Sequence, residues 1–143
     1  SIFSKSKSFL MKNEESKLLS NILMHSDVVI NLFSTVNIES AIYDKPTINV
    51  CYEYDDQMYE FDRDNPRYDI ISDAKETHNQ RIVDSGGISI AFNENQLIDQ
   101  ISRYISNPEI DSYGRKIIRD REVGPYRGEA AKKIAEVTLG YLK

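Results

Sequence analysis

Ser34, Thr35 and Glu39 lie between two short apolar runs, "VVINL" before them and "TINV" after them. This pattern predicts a buried strand that ends in a hydroxyl-bearing turn and continues into a helix. At the carboxyl end of a parallel strand, the first N–H groups of a helix attract anions, and neighbouring hydroxyls add donors. Ser34 and Thr35 therefore form a candidate phosphate site, although the segment has none of the glycines of a P-loop or a dinucleotide-binding motif.

Glu39 follows Thr35 by four positions, so the two residues share a helical face and lie about 6 Å apart along the axis. That separation suits a nucleoside diphosphate whose phosphate lies at the helix start and whose ribose lies one turn further on. A carboxylate can accept hydrogen bonds from both ribose hydroxyls. The alternative is an N-cap followed by an early acid that favours the helix dipole, with no ligand involved. The local pattern leaves both interpretations open.

His78 and Arg81 lie three positions apart in "DAKETHNQRIVDSGG", so they share one face of a predicted helix. Arg81 suits a donor phosphate, and His78 suits a phosphate or the leaving group. The alternative is a solvated helix face. Because this helix belongs to the structural unit next to Ser34 and Thr35, both side chains are candidate donor-binding residues.

Two charged segments can each be interpreted either as part of a binding site or as ordinary solvent-exposed structure. The acidic, tyrosine-rich loop "EYDDQMYEFDRDNPRYD" either lies near a donor or acceptor or is a solvated loop. The basic residues of a later segment are interrupted by two acids: Arg115, Lys116, Arg119 and Arg121, with Asp120 and Glu122 between them. This cluster either faces an anionic membrane or acceptor polymer or forms an exposed helix with mixed charges.

The composition of the 143 residues narrows the classes of function. A net charge of −5 argues against binding to nucleic acid. The one cysteine, Cys51, rules out an intrachain disulfide and fits a small core residue after a buried strand. No Cys/His cluster and no calcium-loop pattern are present, so we expect neither a metal nor a cofactor. No apolar run reaches the roughly 20 residues that span a bilayer.

Helices and strands alternate along the chain, which predicts an α/β fold with a three-layer, Rossmann-like parallel sheet flanked by helices. The predicted strands are "DVVINLF", "TINVCY" and "ISIAF", with "SKSFLM" as a candidate fourth. The first two are continuous apolar runs, the pattern of strands covered on both faces. We expect a single domain over residues 1–143.

Helix positions follow from apolar periodicity and from end signals. The first helix, "NEESKLLSNILMHS", is expected to have one apolar side, formed by Leu18, Leu19, Ile22 and Leu23. Gly86 or Gly87 closes the helix that carries His78. The helix "NENQLIDQISRYISNP" is amphipathic, with Asn93 or Asn95 as its cap and Pro108 as its stop. A short helix in "EIDSYGRKIIRDRE" and a final amphipathic helix, "GEAAKKIAEVTLGYLK", complete the order.

Three segments together resemble the donor-binding, C-terminal half of GT-B glycosyltransferases. They are "LLSNILMHSDVVINLFSTVNIESAIYDKPTINV", "HNQRIVDSGGISIAFNENQLIDQISRYISNP" and "VGPYRGEAAKKIAEVTL". The last is similar to the closing segment of bacterial surface-polymer transferases, including the CDP-glycerol glycerophosphotransferase group. The order and spacing of the motifs over residues 14–143 carry the resemblance, since each motif alone is degenerate.

The resemblance implies a nucleotide-sugar or CDP-activated donor as substrate, held by Ser34 and Thr35 at the diphosphate and by Glu39 at the ribose. It implies a glycan or polymer acceptor, synthesis of surface polysaccharide or capsule, and a cytoplasmic location with peripheral association at the inner face of the membrane. The general base in such families usually comes from an upstream domain, so no catalytic residue is assigned here. The three evident strands also lead us to expect that an upstream acceptor domain precedes this one.

Two alternatives stay open at the level of sequence. UDP-GlcNAc 2-epimerases share the fold and a similar acid-bearing helix, so an epimerase-like enzyme is one of them. The other is a flavodoxin-like interaction module without catalysis, in which Ser34 and Thr35 only cap a helix. A sheet that lacks neighbouring strands would expose an edge, so pairing of two copies into a homo-oligomer is a further expectation.

Overall fold

Three parallel strands form an open sheet in the order β1-β2-β3 in the computed structural model, which describes residues 13–52 and 73–141. The strands are β1, Val29–Asn31; β2, Thr47–Val50; and β3, Ser89–Ala91. The helices of these ranges are α1, Asn13–His25; α2, Val36–Ile42; α3, Thr77–Val83; α4, Glu94–Ser106; α5, Ser112–Ile118; and α6, Ala130–Tyr141. A π-helical turn, Arg119–Val123, follows α5 directly.

Two apolar clusters cover the two faces of this sheet. One joins α2, α3, the start of β3 and α5 through Ala41, Ile82, Ile88 and Ile118. The other packs α4 against the strands through Ile48, Ala91 and Tyr104. Successive residues of a strand point to opposite faces, so a central strand with helices on both sides is buried along its length. The predicted α/β fold with a small parallel sheet is confirmed, and it is compatible with a Rossmann-like fold.

Several local signals act as the sequence predicts. The Asn93 side chain accepts a hydrogen bond from the backbone N–H of Gln96 at 2.9 Å and caps α4. That helix ends at Ser106, before Pro108. Gly86 has a φ of +68° and turns the chain from α3 into β3, because glycine adopts this left-handed conformation without steric cost. Cys51 is buried, as expected for a small residue next to β2.

Tyr104 holds a buried polar group inside the α4 layer. Its hydroxyl donates to Oδ2 of Asp111 at 2.6 Å and shares a second hydrogen bond, also 2.6 Å, with the hydroxyl of Ser89. Burial, followed by the hydrogen bond to Asp111, raises the pKa of Tyr104 to about 12. The neutral hydroxyl therefore links α4, β3 and the turn before α5.

Arg115 and Gly114 fasten α5 to the rest of the fold. The Arg115 side chain is only 1% exposed; its Nε donates to Asp44 Oδ1 at 2.8 Å, and its two terminal nitrogens donate to the carbonyls of Ile110 and Pro108 at 2.6 and 2.7 Å. A Cβ at Gly114 would overlap the backbone of Gly86, so the two chain segments touch backbone to backbone.

The basic residues around α5 do not form one exposed cluster. Arg115 is buried, and the side chains around it are engaged within the chain: Lys116 with Asp120, Arg119 with the carbonyl of Ala41, and Arg121 with Glu122. Arg115 therefore has a structural role, and the other three basic side chains lie in a mixed-charge segment with Asp120 and Glu122. The hydrogen bond from Lys116 also lowers the pKa of the Asp120 carboxyl.

The first helix and first strand are less covered than the sequence indicates. Of the expected α1 stripe only Leu23 is buried, whereas Leu18 and Ile22 are more than half exposed. In β1, Val29 is buried but Ile30 is 47% exposed, so the prediction of a strand covered on both faces is wrong there. β1 is an edge strand of the described sheet, and periodicity reveals an apolar face without revealing what covers it.

The remaining expectations concern the two ends of the chain and the long loop. Every described residue of α6 is exposed, including Ile134 and Val137 on its apolar side. The candidate strand "SKSFLM" and the whole acidic, tyrosine-rich loop lie outside the described residues. Within the described ranges, no helix is long and apolar enough to cross a membrane.

Candidate functional site

The turn after β1 folds back on itself before α2 begins. The N–H of Asn37 donates to the carbonyl of Ser34 at 3.1 Å, and the N–H of Ile38 donates to the carbonyl of Thr35 at 2.9 Å. The N–H of Val36 approaches the hydroxyl of Ser34 at 3.3 Å. The donors of the first turn, which the sequence suggested for an anion, are thus already engaged, and α2 starts two residues later than expected. Anion recognition here must come mainly from side chains.

Four of the five predicted site residues line one cavity of about 280 Å³, which we call the Arg81 cavity. Its walls come from the turn before α2, from α2 itself, from α3 and from the π-helical turn. The lining residues are Phe33, Ser34, Thr35, Ile38, His78, Asn79, Arg81, Ile82 and Glu122. The cavity has an apolar side and a polar side with both charges, as small-ligand sites commonly do.

The apolar side of the Arg81 cavity continues into the hydrophobic core. Phe33 and Ile38 pack against the cluster that contains Ile82. Asn79 is also buried, and its side-chain nitrogen donates to the carbonyl of Asp73 at 2.7 Å. Because these walls are held by the core, the cavity does not depend on mobile surface side chains for its shape.

The charged side of the cavity consists of Arg81 and Glu122, a residue that the sequence interpretation did not single out. Arg81 lies 3.1 Å from Oε1 of Glu122 and is 54% exposed, whereas the Glu122 side chain is 17% exposed. Arg121 also reaches Oε1 of Glu122, at 2.6 Å, and donates to the backbone carbonyl of Arg81. Glu122 was missed because α3 and the π-helical turn are far apart in the chain, and its only local signal is a mixed-charge run.

The two hydroxyls of the turn differ in their freedom to bind a ligand. Ser34 donates its hydroxyl proton to Oδ1 of Asn31 at 3.1 Å. Thr35 forms no side-chain cap bond to α2. The hydroxyl of Thr35 is therefore the readier donor to a ligand in the Arg81 cavity.

Behind Ser34, three asparagines from β1, α2 and β2 are joined by side-chain hydrogen bonds. Asn31 and Asn49 both donate to Oδ1 of Asn37, at 3.2 and 3.1 Å. Asn37 and Asn49 are almost fully buried, yet Asn37 Nδ2 and Asn49 Oδ1 have no hydrogen-bond partner among the described residues. The sequence interpretation missed this cluster, whose signal was an asparagine in each of two apolar strands. Its bond to Ser34 fixes the orientation of that hydroxyl.

Glu39, the fifth predicted residue, lies beside the Arg81 cavity and does not line it. Its backbone N–H donates to the carbonyl of Thr35 at 3.2 Å, which fixes it one turn beyond the cavity wall. Its Oε2 atom is buried and has no hydrogen-bond partner in the described part of the chain. A buried carboxylate oxygen without a donor is costly, so it favours a ligand hydroxyl or a water molecule at this position.

The cavity provides hydrogen-bond donors, one guanidinium and one carboxylate, but no cluster of metal ligands. Across residues 13–52 and 73–141, no group of three or more His, Cys, Asp or Glu side chains is arranged to hold a metal ion. The chemistry that these residues can provide is therefore binding of an anion by Arg81, His78 and Thr35, with Glu39 as an acceptor nearby.

Comparison with known proteins gives no match: no family model fits the chain, and no curated protein or solved structure is significantly similar to it. The functional inference therefore depends on the cavity and on the resemblance of the sequence motifs.

Proposed function

We propose that this chain is the donor-binding domain of a GT-B type transferase, which binds a nucleotide-activated sugar or polyol phosphate for the synthesis of bacterial surface polysaccharide or capsule. The observation that carries the proposal is the meeting of Ser34, Thr35, His78 and Arg81 in one cavity. These residues come from two separate segments of the sequence, residues 34–35 and 78–81. His78 and Arg81 are exposed residues of α3, and both line the same cavity as Thr35.

In this proposal the Arg81 cavity receives the diphosphate of the donor. Arg81 can donate two parallel hydrogen bonds to phosphate oxygens, His78 adds a donor, and Thr35 adds a hydroxyl. The cavity, at about 280 Å³, is at the small end of ligand sites. It suits a diphosphate and the group next to it, with the nucleoside extending over α2 toward Glu39.

The position of Glu39 supports a ribose outside the cavity. One helical turn separates it from Thr35, which is about the distance between a phosphate and the ribose in a nucleoside diphosphate. Its unpartnered Oε2 can accept from a ribose hydroxyl, and that bond would remove the cost of leaving the oxygen unpaired.

Catalysis in this proposal consists mainly of positioning and charge stabilisation. When the bond to the donor group breaks, negative charge grows on the departing phosphate, and Arg81 and His78 are placed to stabilise it. The acceptor is a glycan or polymer, and the proposed setting is the cytoplasmic side of the membrane, as for the transferases that the sequence resembles.

The proposal is tested by titrating the full chain with UDP, CDP and pyrophosphate while following backbone amide NMR signals. We expect shifts at Ser34, Thr35 and Arg81 at millimolar ligand or below. Uridine alone should perturb signals near Glu39 more weakly than UDP does, because it lacks the phosphates. The absence of any shift in residues 34–39 and 78–81 at several millimolar nucleotide would rule out a donor site here.

Replacing Glu39 separates the nucleoside from the diphosphate. Glu39→Ala should weaken UDP or CDP by about tenfold, the loss expected when one charge-assisted hydrogen bond of roughly 1.5 kcal/mol is removed. Pyrophosphate should bind the variant as it binds the wild-type chain. If both ligands weaken equally, or neither does, Glu39 does not hold a ribose.

A further inference from the structure

Arg81 is already occupied by an anion of the protein itself. Its guanidinium lies 3.1 Å from Oε1 of Glu122, and both residues line the cavity. A phosphate that accepts a hydrogen bond from the Arg81 nitrogen facing Glu122 must compete with this carboxylate. The cavity wall therefore holds a cation and an anion in contact, and the carboxylate of Glu122 offsets the positive charge of Arg81.

Arg121 makes an exchange of partners feasible. It contacts the same Oε1 atom of Glu122 at 2.6 Å. Glu122 is largely buried, so losing every cationic partner would leave an uncompensated charge at high cost. If Arg81 turns to a ligand, Arg121 still pairs with the carboxylate, and its hydrogen bond to the carbonyl of Arg81 keeps the two segments together.

We propose that Glu122 is an internal competitor for Arg81 that limits the phosphate affinity of the Arg81 cavity: its carboxylate pairs with Arg81 and must yield it to a phosphate group. This inference rests on the proposed donor site and names the residue that sets its affinity for phosphate. A ligand that does not contact Arg81 should bind with the same affinity when the Glu122 carboxylate is removed. A ligand whose phosphate engages Arg81 must break the Arg81–Glu122 pair and is weakened by that competition.

The strength of the ion pair sets the size of the effect. A partly exposed pair contributes up to about 1 kcal/mol, which corresponds to a factor of about five in affinity. Glu122→Gln keeps the size of the side chain but removes the charge, so pyrophosphate should bind this variant about fivefold more tightly than the wild-type chain. Uridine, which has no phosphate, should bind both proteins equally.

A double-variant cycle on the full chain distinguishes competition for Arg81 from simple repulsion. Pyrophosphate affinity is measured by calorimetry for the wild type, Glu122→Gln, Arg81→Gln and the combined variant. If Glu122 acts by occupying Arg81, its replacement changes affinity by less than about twofold once Arg81 is gone. Glu94→Gln, which removes an exposed acid at the start of α4, is the charge-matched control and should change affinity by less than about twofold.

Arg121→Gln gives a prediction of opposite sign. Without Arg121, the carboxylate of Glu122 has only Arg81 as a partner, so pyrophosphate should bind more weakly than to the wild-type chain. Tighter binding in one variant and weaker binding in the other cannot both arise from partial unfolding.

The outcomes separate this inference from the proposed function. Wild-type binding that is unchanged or weakened by Glu122→Gln would overturn the inference and leave the donor site intact. An equal gain in the Arg81→Gln background would also overturn it, since Glu122 would then act as a distant charge. If pyrophosphate binds to none of the proteins at several millimolar, the donor site and the inference both fail.

Discussion

Replacing Arg115 by methionine should cost the chain a large part of its stability. Its guanidinium donates to the carbonyls of Ile110 and Pro108, at 2.6 and 2.7 Å, and each hydrogen bond from a charged donor contributes about 1.5–3 kcal/mol. The pair with Asp44 adds little, since that carboxylate is 46% exposed. Apolar packing of methionine recovers roughly 1 kcal/mol. We expect a net loss of about 2–5 kcal/mol in the free energy of unfolding.

Urea unfolding followed by far-UV circular dichroism measures this loss as a lower midpoint at unchanged slope. Two variants serve as controls. Lys116→Met removes an exposed ion pair from the neighbouring position and should cost less than about 1 kcal/mol. Asp44→Asn removes the charge but keeps an acceptor oxygen for Nε of Arg115, and asparagine tolerates the φ of +54° at this position, so this variant should cost less than Arg115→Met. An Arg115→Met variant as stable as Lys116→Met would show that the buried guanidinium does not hold α5 in place.

Two further predictions concern packing and pH. Gly114→Ala should destabilise the chain by several kcal/mol, because the new Cβ would overlap the backbone of Gly86, whereas Gly140→Ala, with open space around it, should be neutral or slightly stabilising in thermal unfolding. Tyr104 has a pKa of about 12 in the folded chain against an ordinary value of about 10. The contribution of its neutral hydroxyl to the free energy of unfolding is therefore complete below pH 10 and is lost as the pH rises toward 12. This contribution should fall by about 1.4 kcal/mol per unit between pH 10 and 12, and Tyr104→Phe, measured by urea unfolding over that range, should lack this part of the slope.

Local signals in the sequence were sufficient for the elements that depend on near neighbours. Alternating helices and strands, the Asn93 cap and the Gly86 turn all have causes within a few residues, and the structure confirms them. The burial of Thr47, Ile48 and Asn49 in β2 agrees with the prediction of a strand covered on both faces, although two of these three side chains are polar.

Features that depend on distant partners could not be derived in this way. Arg115 looks like one basic residue among several until its partner Asp44, 71 positions away, is known. The stripe of α1 predicts an apolar face correctly, but only packing determines that Leu23 is buried and Ile22 is not. Glu122 likewise cannot be identified as a site residue from the sequence, because its contact with Arg81 exists only when α3 and the π-helical turn lie side by side.

In the proposed donor site, the segment from Gly114 to Glu122 would both anchor α5 and limit ligand affinity, so stability and affinity should respond to different residues. Gly114 and Arg115 anchor α5 against the Gly86 turn and the end of α2. The π-helical turn continues from that anchored helix and brings Glu122 to Arg81. A phosphate that takes Arg81 from Glu122 breaks no contact of Gly114 or Arg115, so the exchange leaves the core intact. Variants of Arg115 should therefore lower stability, whereas Glu122→Gln should change affinity with little effect on unfolding.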